Sequence, residues 1–232
     1  MALLKIAYCW ASTSTTSSSR EPAPASIAKF KTEMTNQFQM SDLGLLTYYL
    51  GLEVHQSNKE ITVCQAAYAT KLLERAGMSD CNPVHVPMEP RLRLSKTSSS
   101  PPTDAHLYRS IVGSIRYLVH TWPDIAFAVG YVSRFLEEPT TEHMSAVKHL
   151  LRYIAGTIHH GGRYTRRGRC DLVGYSDADL AGDVDDRKST TGLVFFLDSG
   201  RVSWQSQKQK TVALSSCEST LLVQLQHAQE YG

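Results

Sequence analysis

The sequence predicts a mixed fold, α+β or α/β, with helices in the middle of the chain and strands on either side. In residues 107–160, apolar side chains recur every three or four positions, which is typical of amphipathic helices. Around residues 48–63 and 172–205 they alternate with polar ones, which is typical of half-buried strands. The 232 residues are 42% hydrophobic and 20% charged, with a formal net charge of +2. This composition excludes a coiled coil, a collagen or a wholly disordered chain.

The amino-terminal part predicts a flexible arm followed by a short helix. Residues 12–19 are all Ser or Thr, and such a segment has nothing to bury against the entropy cost of ordering it. We therefore predict a flexible arm over residues 1–25. Apolar residues then recur at helical spacing behind Ser26, and this helix is expected to end near residues 42–44.

A hairpin and a helix are expected next. Residues 48–54 alternate as a strand, residues 57–59 have turn chemistry, and residues 61–63 form a second predicted strand. Residues 69–76 have helical spacing, and Gly77 follows them as a C-terminal cap.

The middle of the chain predicts a linker and three helices. Residues 96–106 are rich in Ser and Pro and predict the linker. The helices have apolar faces around Ile115, Val129 and Leu150. Thr140 is the expected N-cap of the third helix, and Gly156 its end.

The last part of the chain predicts three strands and a helix. The strands are expected at residues 172–176, 192–197 and 201–205, which are rich in β-branched and aromatic residues. Ser215 and Glu218 have the spacing of a capping box, which predicts the start of a final helix.

A basic segment is the first candidate binding feature. Residues 139–170 contain six basic residues and one acid, Glu142; the basic residues are Lys148, Arg152, Arg163, Arg166, Arg167 and Arg169. Lys148 and Arg152 are four residues apart on one helical face and can present a paired positive charge to a phosphate backbone. A solvated surface with a basic loop that binds nothing is an alternative interpretation of equal weight.

An acidic segment follows immediately and is a candidate metal site. Six Asp residues fall within residues 171–186, and no Lys or Arg lies among them. Asp177 closes a predicted strand beside other carboxylates, as a two-metal nuclease requires. Asp-rich turns are, however, more often solvated loops.

The cysteines and apolar stretches indicate an intracellular protein, cytoplasmic or nuclear. The five cysteines are scattered and form no C-x-x-C pair, so neither a disulfide framework nor a cysteine zinc site is expected. No apolar stretch is long enough to cross a bilayer, and we expect no membrane partner.

Several motifs resemble the Pol polyprotein of copia-type LTR retrotransposons. They occur in the family's order and cover most of the chain; they are FQMSDLGLLTYYLGLEV (38–54), YRSIVGSIRYL (108–118), WPDIAFAV (122–129), GYSDADLAGD (174–183) and DRKSTTG (186–192). The resemblance implies the end of a reverse transcriptase followed by the start of an RNase H. It implies a palm remnant over residues 26–95, a helical thumb or connection segment over 107–160 and a truncated RNase H-like sheet over 163–232.

The resemblance also implies that the catalytic carboxylates are incomplete. The family's Tyr-x-Asp-Asp polymerase turn has no counterpart before residue 30, and no Asp precedes Asp42. Asp177 matches the first RNase H metal ligand, but Thr220 stands where the family has the next ligand, a Glu. Glu218 is two residues earlier, about 200° around a helix, and is a poor substitute. The third family carboxylate would lie on a strand beyond residue 232.

We therefore expect a catalytically inactive chain that binds RNA/DNA hybrid or other nucleic acid weakly and without sequence preference. No cofactor is expected. Two alternatives remain open: a residual RNase H holding Mg²⁺ or Mn²⁺ at Asp177 with Asp179 or Glu218, and a host interaction protein that reuses residues 107–157. An uncovered sheet edge also predicts instability or self-association.

Overall fold

The computed structural model describes residues 24–39, 44–165 and 171–231, with side chains described from residue 28 to residue 223 of those ranges. These residues form an α+β fold of helices and two antiparallel sheets. Since every strand pair in them is antiparallel, the α+β prediction is confirmed over α/β. The predicted arm lies outside the described residues, except for the first two residues of the first helix.

Helices and strands are numbered along the described part of the chain. The helices are α1 (Pro24–Gln37), α2 (Ala66–Arg75), α3 (Ala105–Leu118), α4 (Ala126–Val132), α5 (Thr141–Gly156) and α6 (Ser216–Tyr231). Short 3-10 turns flank α4 at Pro123–Ile125 and Ser133–Phe135. The strands are β1 (Tyr48–Tyr49), β2 (Leu52–Gln56), β3 (Glu60–Cys64), β4 (Gly162–Thr165), β5 (Leu172–Ala178), β6 (Thr190–Leu197) and β7 (Gly200–Lys208). Each predicted helix and strand has a counterpart among them.

The first sheet has the order β1-β2-β3-β4 and corrects one prediction. The strand predicted over residues 48–54 is two strands, because Leu50 and Gly51 have φ angles of 47° and 77° and reverse the chain. Tyr49 then pairs with Leu52 across this two-residue turn. Left-handed φ values at both central positions are those of a type I′ hairpin turn. The side-chain alternation continues through the turn, so the sequence pattern did not reveal it.

The fourth strand of this sheet was not predicted. β4 pairs with β3, with Val63 opposite Gly162. A side chain on Gly161, just before β4, would come within 2.2 Å of the Val63 carbonyl oxygen. Because β4 joins the hairpin, the predicted palm remnant and the first residues of the predicted RNase H-like part share one sheet.

The second sheet has the order β5-β6-β7 and leaves β5 at an edge among the described residues. Asp177 lies opposite Gly192 near the end of β5. Leu172 and Tyr175 on this edge strand are 65% and 62% exposed. The sheet therefore presents apolar side chains at an unpaired edge.

The main core lies between α2, α3, α4 and α5. It contains fully or almost fully buried side chains from each helix, including Leu72, Val112, Ile115, Val132, Leu150, Leu151 and Ile154. Tyr108 lies inside this core and donates a hydrogen bond of 2.8 Å to the Val132 carbonyl. Burial raises the pKa of Tyr108, so the phenol stays protonated.

Side chains connect both sheets with the helical core. Trp204 on β7 donates from Nε1 to the Val119 carbonyl at 2.8 Å. Tyr117 on α3 donates to the Leu50 carbonyl in the β1–β2 turn.

No helix in the described part of the chain is long and apolar enough to cross a bilayer. Unlike the core helices, α1 leaves apolar side chains exposed, and Phe30 is 59% exposed.

Candidate nucleic-acid interface and acidic loop

Helix α5 carries Lys148 and Arg152, two of the basic residues that the sequence predicts to bind nucleic acid. Its N-terminus is closed by a capping box in which His143 takes the place that Glu or Gln usually holds: His143 Nδ1 accepts the Thr140 backbone N–H at 3.0 Å. His143 is fully buried, stacks on Phe135 at 4.0 Å, and its Nε2 lies 3.2 Å from the Ser95 carbonyl oxygen. This fixes the start of the helix, which buries one face and exposes Lys148 on the other.

A groove of about 380 Å³ lies between α5 and the segment before residue 93. Lys148, His149 and Arg152 line it, together with apolar side chains from Met78, Met88 and Leu92. Two carboxylates, Glu89 and Glu142, also line it. Lys148 and Arg152 therefore do border one concave surface, and its charge is mixed.

Contacts with the facing segment fix the orientation of two of these residues. Arg152 donates from Nε to the Asn82 carbonyl at 2.7 Å, which occupies one of its five N–H groups. His149 Nε2 lies 3.0 Å from the Val86 carbonyl oxygen, and its Nδ1 lies 3.8 Å from Glu89 Oε1. These contacts hold the residue 82–89 segment against α5.

The remaining predicted basic residues lie farther along the chain. Arg163 is on β4, is exposed, and places Nε 3.7 Å from Glu60 Oε2. An exposed pair of this kind contributes little to stability and can open at small cost. Arg166, Arg167 and Arg169 lie outside the described residues.

The acidic segment runs from just before β5 into the loop between β5 and β6, and most of its carboxylates accept backbone N–H groups. Asp177 is exposed, and its Oδ1 accepts the Ala178 N–H at 2.8 Å. Asp179 accepts the Thr190 N–H at 2.5 Å. The Asp179 carbonyl in turn accepts the Ser219 hydroxyl at 2.9 Å, which joins the loop to α6.

Asp183 is the buried charge of this loop. It is 4% exposed, and Oδ2 lies 2.8 Å from both Arg134 Nη1 and Lys208 Nζ. Burial alone would raise the pKa of Asp183, but the hydrogen bond from Lys208 and the N–H groups of Asp186 and Asp185 outweigh it. They hold this pKa well below its usual range. This cluster was not predicted from the sequence because its three members come from separate elements.

The other acidic positions also have local roles. Asp185 accepts hydrogen bonds from the Ser95 hydroxyl at 2.5 Å and from the Lys96 N–H at 3.0 Å. Glu218 accepts the Leu214 N–H at 2.8 Å, and Ser215 Oγ accepts the Glu218 N–H at 3.1 Å. The bond to Ser215 Oγ is the one that the predicted capping box requires. The Glu218 carboxylate, however, accepts the N–H of Leu214 instead of the N–H of Ser215. Thr220 donates to the Ser216 carbonyl within α6.

In the part of the chain that the structure describes, one group of three His, Cys, Asp or Glu residues has ligand atoms within 4.8 Å of one another. It consists of Glu53, His55 and Cys64 on the β2–β3 hairpin, and Asp177 belongs to no such group. This group was not predicted from the sequence. The predicted hairpin could have indicated this group, because the register of its two strands places Cys64 opposite Glu53.

Comparison with known proteins finds a family model that matches part of the chain. Residues 21–90 match the family described as reverse transcriptase (RNA-dependent DNA polymerase). No solved structure matches the chain significantly.

Three curated relatives cover most of the chain. It is 42% identical over 217 residues to the Retrovirus-related Pol polyprotein from transposon TNT 1-94 of Nicotiana tabacum, covering 88% of this chain and 16% of that protein. It is 42% identical over 185 residues to the Pol polyprotein from transposon RE1 of Arabidopsis thaliana, covering 80% of this chain and 13% of that protein. An uncharacterized mitochondrial protein of Arabidopsis thaliana is 37% identical over 186 residues, covering 80% of this chain and 77% of that protein. The chain thus spans only a small part of the two polyproteins.

Proposed function

The chain belongs to the family of copia-type retrotransposon Pol polyproteins, and from this premise we propose that it binds nucleic acid without catalysing polymerisation or hybrid cleavage. The binding is weak and independent of base sequence. In this proposal, residues 107–160 form a thumb or connection segment and residues 163–232 form a partial RNase H-like domain. The ligand is an RNA/DNA hybrid or another nucleic acid.

One observation carries the binding proposal: Lys148 and Arg152 lie one helical turn apart and border the same groove. A spacing of four residues places two side chains beside each other on a helix surface. Their positive charges can contact phosphates and release counterions, a source of affinity that does not depend on base sequence. The Nε bond of Arg152 fixes its guanidinium, which lowers the entropy cost of engaging a phosphate.

The charge of the groove supports weak rather than tight binding. Glu89 and Glu142 line the same groove as the two basic residues, and carboxylates repel a phosphate backbone. Glu142 also accepts a hydrogen bond of 2.8 Å from the Ser98 hydroxyl, which keeps it in place. Arg163 adds affinity once it exchanges Glu60 for a phosphate.

The positions of the carboxylates support the absence of catalysis. Two-metal phosphoryl chemistry needs several carboxylates around one pair of ions. Asp177 belongs to no group of three metal-capable side chains among the described residues. Asp179 and Glu218, the partners that a residual RNase H would need, also belong to no such group in the described part of the chain. The sequence to residue 232 contains no Tyr-x-Asp-Asp motif.

A binding assay with a matched control tests the interface. A labelled RNA/DNA hybrid is titrated with the wild-type protein, with a Lys148→Ala/Arg152→Ala variant and with a Lys71→Ala/Arg75→Ala variant. The second pair has the same spacing on α2, and both of its side chains are exposed. We expect the α5 variant to weaken binding on the order of 10-fold and the α2 variant to bind like wild type. Equal losses in both variants would show that only net charge matters and would overturn the interface.

A cleavage assay on the same hybrid tests catalytic silence. We expect no cleavage with Mg²⁺ or Mn²⁺. If wild type cleaves the hybrid and Asp177→Asn does not, the proposed absence of catalysis is wrong and the chain is a residual RNase H.

A further inference from the structure

The β2–β3 hairpin brings three different metal-ligating side chains to one face of the first sheet. Glu53 and His55 are two residues apart on β2, so their side chains leave the strand on the same side. Cys64 on β3 lies directly opposite Glu53 in the antiparallel register. Their Oε, imidazole nitrogen and Sγ atoms all lie within 4.8 Å of one another.

Neighbouring groups hold two of these side chains in place. Glu53 Oε1 accepts the N–H of Ala67 in the first turn of α2 at 2.7 Å, which leaves Oε2 directed towards Cys64 Sγ at 3.9 Å. Cys64 is 6% exposed. A side chain at position 161 would come within 2.9 Å of Cys64 Cβ, so Gly161 allows the chain entering β4 to lie close to Cys64.

We propose that Glu53, His55 and Cys64 bind a Zn²⁺ ion, with a water molecule as the fourth ligand. A thiolate, an imidazole and a carboxylate form a ligand set that suits zinc and disfavours Mg²⁺, which prefers oxygen ligands alone. Tetrahedral zinc holds such ligand atoms about 3.3–3.8 Å apart, so small side-chain rotations close the site. The hydrogen bond from Ala67 orients the carboxylate in the way that outer-shell donors orient metal ligands.

The location of the site predicts its effect on the protein. One ion would link β2 to β3 and, through the Ala67 bond of Glu53, to the first turn of α2. Because the ligands come together only in the folded chain, the ion stabilises the fold. His55 is exposed, so the fourth position faces solvent. No basic residue of the proposed nucleic-acid interface takes part, so this inference stands or falls independently of the proposed function.

Cobalt substitution tests the site directly. The full chain, reduced and freed of metal, is titrated with Co²⁺ and then with Zn²⁺. We expect one equivalent of Co²⁺ to produce a thiolate-to-metal charge-transfer band, and Zn²⁺ to displace it. Cys64→Ser removes the band, while a Cys81→Ser/Cys217→Ser variant, which changes two free cysteines outside the group, retains it.

A second variant guards against misfolding of Cys64→Ser, whose side chain is buried. His55→Ala changes an exposed residue, and we expect it to weaken Zn²⁺ binding at least about 10-fold and to reduce the rise in unfolding temperature that Zn²⁺ causes. The proposal is overturned if wild type shows no band, if the band survives in Cys64→Ser, or if His55→Ala binds Zn²⁺ like wild type.

Discussion

Replacing Asp183 by Asn is expected to destabilise the protein by about 3 kcal/mol, because it removes a buried negative charge and keeps the side-chain shape. Arg134 and Lys208 each lie 2.8 Å from Asp183 Oδ2 and would be left without this partner. Breaking a buried ion pair in this way costs about 3–5 kcal/mol. The Lys208 side chain is 28% exposed and can recover hydration, which places the loss near the lower limit.

Asp186→Asn is the matched control, since it makes the same change in the same loop. Asp186 also lies 2.8 Å from Lys208 Nζ, but its side chain is 38% exposed. Removing an exposed partner costs under about 1 kcal/mol.

Urea unfolding followed by tryptophan fluorescence and circular dichroism measures both losses. We expect an unchanged slope with urea and a lower midpoint for Asp183→Asn. The low pKa of Asp183 also predicts that its contribution is present above about pH 4 and is lost as the pH falls below that value. A loss in Asp183→Asn no larger than in Asp186→Asn would refute the reasoning.

Three further predictions concern a titrating side chain, a close backbone contact and the open sheet edge. Burial lowers the pKa of His143, so as the pH falls the unfolded chain is protonated at this residue before the folded chain is. The free energy of unfolding therefore decreases as the pH drops below about 6.5. His143→Gln should make this decrease smaller when urea midpoints are measured over a series of pH values. Gly161→Ala should cost about 1–3 kcal/mol in the same assay, because the added methyl group would clash with β3. Gly113→Ala, at an exposed position of α3 with nothing within 4 Å, should instead gain about 0.5–1 kcal/mol, and equal effects of the two substitutions would contradict this. Leu172→Lys on the edge strand β5 should reduce self-association in sedimentation velocity, and an unchanged distribution would show that this edge is not the contact.

The sequence predicted the helices well because their periodicity is strong and local. The α3 face around Ile115 and the α5 face around Leu150 are buried as their spacing indicated. The β1–β2 turn was missed because alternation does not reveal a chain reversal at Leu50 and Gly51. The strand β4 was missed because it is four residues long and its partner, β3, lies about a hundred residues earlier.

The candidate sites were harder to predict because their partners are distant along the chain. The cluster of Asp residues was visible, but the sequence could not show that Asp183 meets Arg134, which is 49 residues away. The Glu53, His55 and Cys64 group needed the exact hairpin register, which spacing alone leaves open.

The salt dependence of hybrid binding tests the central claim, that α5 contacts the phosphate backbone. Affinity for an RNA/DNA hybrid is measured between about 50 and 200 mM salt for wild type and for the Lys148→Ala/Arg152→Ala variant. We predict a linear fall of log affinity with log salt concentration, and a slope smaller by about 1 to 2 in the variant. An affinity that is indifferent to salt, or a slope that the double substitution leaves unchanged, would contradict the account.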